Sequence, residues 1–117
     1  MALTEDEIED IRRNFSSCSE ETVNAIVKFR QGGDLGELPA IVRGIVERYL
    51  PEEGKEAFRE ATPETPLETL QVDSLAMLEI VLDIQDAVDI SIDDSEIREF
   101  RTLGDVRAFL EAKIQES

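Results

Sequence analysis

Gln71-Val72-Asp73-Ser74-Leu75-Ala76-Met77-Leu78-Glu79-Ile80-Val81-Leu82-Asp83-Ile84-Gln85-Asp86-Ala87-Val88 is the stretch on which the fold turns. Its spacing predicts a helix beginning at Ser74. At roughly 100° per residue, Met77, Ile80, Val81, Ile84, Ala87 and Val88 share one arc of roughly 120°, the width of a core-facing stripe. Leu75, Leu78 and Leu82 fall in a second arc. Glu79, Asp83 and Asp86 lie beside that second arc, away from the core. A solvated helix needs only one apolar face. The second stripe has two readings: a docking surface for another molecule, or leucines packed under the chain's own loops. Periodicity alone leaves both open.

Outward from this stretch, every segment reads as helix or connection. Residues 4–14 carry a capping box, Thr4 with Glu7, and apolar Ile8, Ile11 and Phe15 at helical spacing. Ser19 caps a second helix to about Gln31, closed by Gly32-Gly33. A third helix is expected over residues 38–50, with Pro39 in its first turn and Pro51 as its stop. Its apolar face is Leu38, Ile41, Val42, Ile45, Val46 and Tyr49. Residues 51–73 form a long connection that needs anchors. A short helix over residues 52–61 held by Phe58, followed by Leu67 and Leu70, supplies them. Beyond the central helix, Asp94 or Ser95 caps a short helix through Ile97 and Phe100. Thr102, with Asp105, caps the last one, whose apolar face is Leu103, Val106, Phe109, Leu110 and Ile114. No segment alternates long enough for a sheet, so the expected class is all-α.

Composition removes most catalytic chemistries. There is no histidine, so Ser74 has no Ser-His partner and the commonest general base and metal ligand are missing. The single cysteine, Cys18, forms no intramolecular disulfide. With no basic residue next to it in sequence, it reads as unreactive, and a zinc site is not expected. The acidic run over residues 89–96 lacks the glycine of a calcium loop. Gly32-Gly33-Asp34-Leu35-Gly36 follows a helix and has no lysine, so it is a turn rather than a phosphate loop. The net charge of −16 disfavours nucleic acid and favours basic protein surfaces. The first residues lack a basic region followed by an apolar run and no apolar run reaches membrane length, so no leader and a cytoplasmic monomer are expected.

Asp73-Ser74-Leu75, with Leu67 and Leu70 before it and Glu79 after it, resembles the Asp-Ser-Leu motif of acyl carrier proteins. The likeness continues through Ile90-Ser91-Ile92-Asp93-Asp94 and Phe100-Arg101-Thr102-Leu103-Gly104-Asp105-Val106, and covers about residues 37–117. It implies a four-helix acyl-carrier-like bundle of three long helices and one short one, over residues 35–117. Residues 1–34 are then an extension of one or two extra helices, expected to pack on the bundle. The resemblance implies that Ser74 carries covalent 4′-phosphopantetheine, with Asp73 and Leu75 flanking it. Leu75, Leu78, Glu79, Leu82, Asp83 and Asp86 become the partner-binding surface. The implied partners are a phosphopantetheinyl transferase and acyl-loading, ketosynthase, reductase or dehydratase enzymes with basic docking patches. The carrier itself is not an enzyme. Three departures stand out: Gln71 where the family often has glycine, Asp93 where proline is common, and Ala76 and Gln85 where many members carry acids. The less acidic face left by Ala76 and Gln85, with the unusual extension, favours a specialised lipid or polyketide carrier over one serving housekeeping fatty-acid enzymes. Fatty acid synthesis stays among the pathways the resemblance implies.

The residues at Ser74 support that chemistry independently of the family. A hydroxyl at a helix N-terminus faces unsatisfied amides and the positive end of the dipole, which stabilise an attached phosphate. Asp73 opposes this slightly as a like charge, and is expected to be read by the modifying enzyme or to help hold a metal. The plain alternative for Ser74 is a helix cap. Two other functions stay open: a peptidyl or aminoacyl carrier, and an unmodified carrier-like module that binds a basic partner.

Overall fold

Side chains that accept backbone N–H bonds set where most helices of this chain begin. The computed structural model describes residues 3–116. Thr4 Oγ1 accepts from Glu7 N while Glu7 Oε1 accepts from Thr4 N, and this reciprocal pair opens α1, Glu5–Asn14. Ser19 Oγ accepts from Thr22 N at 3.2 Å and opens α2, Glu20–Gly32. Gly33, at φ +69°, closes α2 in the left-handed conformation. A 3₁₀ turn, Leu35–Glu37, leads into α3, Leu38–Glu47, with Pro39 in its first turn. Then come α4, Glu52–Arg59; a second 3₁₀ turn, Leu67–Leu70; α5, Ser74–Val88; α6, Asp94–Ile97; and α7, Leu103–Glu116. Among the described residues there is no strand, only an isolated bridge between Pro66 and Thr102. The all-α expectation holds.

Two boundaries differ from the sequence reading. Helix α3 ends at Glu47, three residues short of Leu50. Tyr49 N bonds Val46 O and Leu50 N bonds Glu47 O, so the last turn tightens to three-residue spacing. Pro51 is the reason, because proline pushes the residue before it away from helical ψ. Helix α6 is opened by Asp93 rather than by Asp94 or Ser95, with Glu96 Oε1 accepting from Asp93 N at 3.1 Å. The last helix starts as expected. Thr102 Oγ1 takes the Asp105 N–H, and Asp105 Oδ2 takes those of Arg101 and Thr102.

One core joins the helices. Ile26 of α2, Ile41 and Ile45 of α3, Ile80 and Ile84 of α5, and Leu110 of α7 have essentially no exposed surface. Burying each such side chain is worth about 1.5–3 kcal/mol. Helix α2 thus contributes to the same core as the segments after it. It crosses α3 where Gly44 faces the buried Thr22: a Cβ on Gly44 would sit 2.7 Å from Thr22 Cβ and closer still to Oγ1 and Cγ2. Only a glycine permits that approach.

The connection between α4 and α5 is pinned throughout. Phe58 is buried, and the Arg43 guanidinium stacks 4.5 Å over its ring while donating to Phe58 O at 3.1 Å. Gly104 N bonds Pro63 O and Leu67 N bonds Arg101 O, both at 2.8 Å. Leu67 and Leu70 are buried, as the spacing predicts. The 3₁₀ turn then closes on Gln71 at φ +65°, a left-handed residue at the position where the resembling family favours glycine.

Two stability measurements follow. Gly44→Ala would normally favour a helix, yet here it is expected to lower the unfolding free energy by about 1–3 kcal/mol, because the methyl overpacks the Thr22 contact. Gln71→Gly is expected to raise it by about 0.5–1 kcal/mol, relief of left-handed strain outweighing the chain entropy of glycine. Urea unfolding of both variants beside the parent checks each sign.

Candidate functional site

At the start of α5, capping and exposure are divided between two adjacent residues. Asp73 has extended backbone, and its Oδ1 accepts the Ala76 N–H at 2.8 Å. Asp73 is therefore the cap, a role the sequence reading offered to Ser74 instead. Ser74 is the first helical residue and is exposed. Among the described residues, its hydroxyl makes no hydrogen bond. The serine has no structural task, and its Oγ is left accessible beside the N-terminal amides of a 15-residue helix.

The inner stripe of α5 is buried as the wheel predicts: Ile80, Val81, Ile84, Ala87 and Val88 are in the core, and Met77 is packed against it. The outer stripe is open. Leu75, Leu78 and Leu82 are 65%, 43% and 53% exposed, and they are the large hydrophobics of the described chain that stand out into solvent. That removes the reading in which they pack under loops. Glu79 and Asp86 are exposed next to them.

Asp83 departs from the expected free rim acid. Its Oδ2 accepts from Arg48 Nη1 at 3.2 Å and from the Tyr49 hydroxyl. The pair is partly buried, at 22% side-chain exposure on each side. Burial pushes the Tyr49 phenol up to about 12, and the hydrogen bond and charge of Asp83 push the same way. Gln85, another departure from the family, turns its amide oxygen to the α5–α6 link and accepts Ile92 N at 2.9 Å. An acid there would also accept, but the glutamine does so without adding charge.

A groove of about 660 Å³ opens beside Ser74. Asp73, Ser74 and Met77 form one wall, and Ile97, Phe100 and Arg101 belong to the other. Cys18 lies away from it, on the α2–α3 side, with its Sγ 3.9 Å from Gly44 O. Arg48, distant in sequence, does reach Cys18 and favours the thiolate, but burial is the stronger effect and raises the thiol above its usual range, in line with an unreactive residue. No cluster of metal-ligating side chains occurs among the described residues, so nothing there supports a metal role for Asp73. No helix among them is long and apolar enough to cross a membrane.

The comparisons with known proteins converge on this site's family. A family model described as a phosphopantetheine attachment site matches residues 40–110. An acyl carrier protein of Exiguobacterium sp. is 34% identical over 61 residues, which is 52% of this chain and 77% of the relative. One from Streptococcus pyogenes is 36% identical over 74 residues, covering 63% of this chain and 96% of the relative. No solved structure matches. The chain belongs to the phosphopantetheine-attachment family, as an acyl carrier protein. Its prosthetic group is accordingly a covalent 4′-phosphopantetheine. The start of α5 fits such a group, offering a free hydroxyl, helix amides and an open groove.

Tyr49 is the only tyrosine, so its titration is directly visible. Absorbance near the phenolate band is expected to give a midpoint near 12, against the ordinary 10.0. Because the folded value is the higher one, its contribution to stability is complete below pH 10 and is lost as pH rises toward 12. Asp83→Asn should bring the midpoint part of the way back, since burial acts first and persists.

Proposed function

We propose that Ser74 is the attachment residue, and that the protein presents acyl groups to enzymes docking on the outer face of α5. The observation that carries this reading is the exposed Ser74 hydroxyl, relieved of capping by Asp73, at the head of an exposed leucine stripe. When attached, the arm supplies a terminal thiol that holds acyl groups as thioesters. In the loading step Ser74 Oγ bonds to the pantetheine-side phosphorus of coenzyme A. The phosphoanhydride bond breaks, adenosine 3′,5′-bisphosphate leaves, and the hydroxyl proton passes to the base of a phosphopantetheinyl transferase. This chain provides the nucleophilic oxygen and its placement, and the transferase provides the catalysis.

Leu75, Leu78 and Leu82 form the apolar centre of the docking face, and Glu79 and Asp86 its charged rim. Rim charges chiefly govern encounter rate and selectivity, which suits a carrier that must leave each enzyme. Asp83, already neutralised by Arg48, contributes less to that rim than the sequence suggests. The face is consequently less acidic, which supports a specialised lipid or polyketide pathway. Residues 35–117 are the carrier unit in this reading. Residues 1–34 steady it, through the Thr22–Gly44 crossing and the packing of α2.

Intact mass spectrometry after incubation with coenzyme A and a broad-specificity phosphopantetheinyl transferase tests the assignment. The wild-type chain is expected to gain the mass of one phosphopantetheine, and Ser74→Ala to gain none. A folded, initially unmodified wild type that gains nothing, or a Ser74→Ala variant that does, overturns it.

A further inference from the structure

The groove at Ser74 is apolar on much of its lining, with Met77, Ile97 and Phe100 among the residues there. Two cations also line it, Arg98 and Arg101. Both are exposed, and among the described residues neither guanidinium has a hydrogen bond or an ion pair. Arg12, Lys28 and Arg59 are likewise open among the described residues, but none of those three lines the groove. Arg13, Arg48, Lys55, Arg107 and Lys113 all hold carboxylates. Arg30 and Arg43 donate to backbone carbonyls. The two arginines at the groove are left open.

Their main chain, by contrast, is fixed. Ile97 and Phe100 pack against the core, and Phe100 meets Phe109 edge-on at 5.2 Å. Arg101 O accepts from Leu67 N, and Arg101 N donates to Asp105 Oδ2. Both guanidiniums are therefore presented from an anchored segment, in the groove that contains Ser74. An anion tethered there would face Asp73 and Glu68 as like charges. Guanidinium groups offset this and match the forked geometry of carboxylates and phosphates.

We propose that Arg98 and Arg101 form an anion-recognition pair for the group tethered at Ser74. The anion is either the phosphodiester of the arm or a free carboxylate at the far end of a dicarboxylic acyl cargo. This deepens the carrier reading and rests on Ser74 being the attachment residue.

The test loads the full chain from coenzyme A, butyryl-coenzyme A or succinyl-coenzyme A, confirming each product by mass. Butyryl and succinyl share the same four-carbon chain and differ by a terminal carboxylate. The Nε–Hε resonances of ¹⁵N-labelled arginines are then compared with the unmodified protein, with Arg98→Gln and Arg101→Gln used for assignment. Exposed Arg59 on α4 is the control. Movement of the Arg98 or Arg101 resonance on arm attachment, unchanged by cargo, supports the phosphodiester. Additional movement with succinyl but not butyryl supports the carboxylate. No movement beyond that of Arg59 in any loaded form, or equal cargo shifts for butyryl and succinyl without a shift on arm attachment, overturns the proposal. Absence of any mass gain instead overturns the Ser74 assignment, so the two failures are separate.

Discussion

The rotational setting of α5 is the constraint on which the site depends. Ile80, Val81, Ile84, Ala87 and Val88 are buried against α2 and α3, and a helix so anchored cannot turn about its axis. Everything on its far side is fixed by that burial. Leu75, Leu78 and Leu82 must face solvent, at a hydrophobic cost the core more than offsets. The cap at Asp73 then decides what happens at the helix head. One carboxylate oxygen satisfies the Ala76 amide, and the neighbouring hydroxyl is spared.

Sequence periodicity made both stripes of α5 legible, because a helix of this length samples its whole circumference several times. Thr4, Ser19 and Thr102 were legible for a related reason: a cap is a contact across three residues, and three residues are visible in any window. Contacts across tens of residues were not. Nothing in the local pattern around Asp83 indicates that Arg48 and Tyr49 will reach it, and nothing around Gly44 indicates Thr22. The early end of α3 was hidden for a subtler reason. Pro51 states where a helix has to have stopped, while the tightening of the turn before it depends on backbone geometry.

The departures from the family pattern become intelligible as local substitutions of one device for another. Gln71 adopts the left-handed backbone that glycine would take without strain. Asp93 opens α6 with extended backbone, supported by Glu96. Gln85 spends its side chain on the Ile92 amide, and Asp83 spends its charge on α3. Two positions on α5 have thus been turned inward. The leucines beside them remain exposed, so this face is more apolar than the bare count of acids suggests.

The hydrogen bond from Leu67 N to Arg101 O has an evolutionary side. It uses the main chain of residue 101, which every amino acid except proline can present with its N–H intact toward Asp105. The fold consequently places little demand on the identity of that side chain. Selection can rewrite residue 101 without re-solving the loop that delivers Ser74. A position of this kind lets a duplicated gene drift toward a new clientele while the scaffold beneath it stays the same.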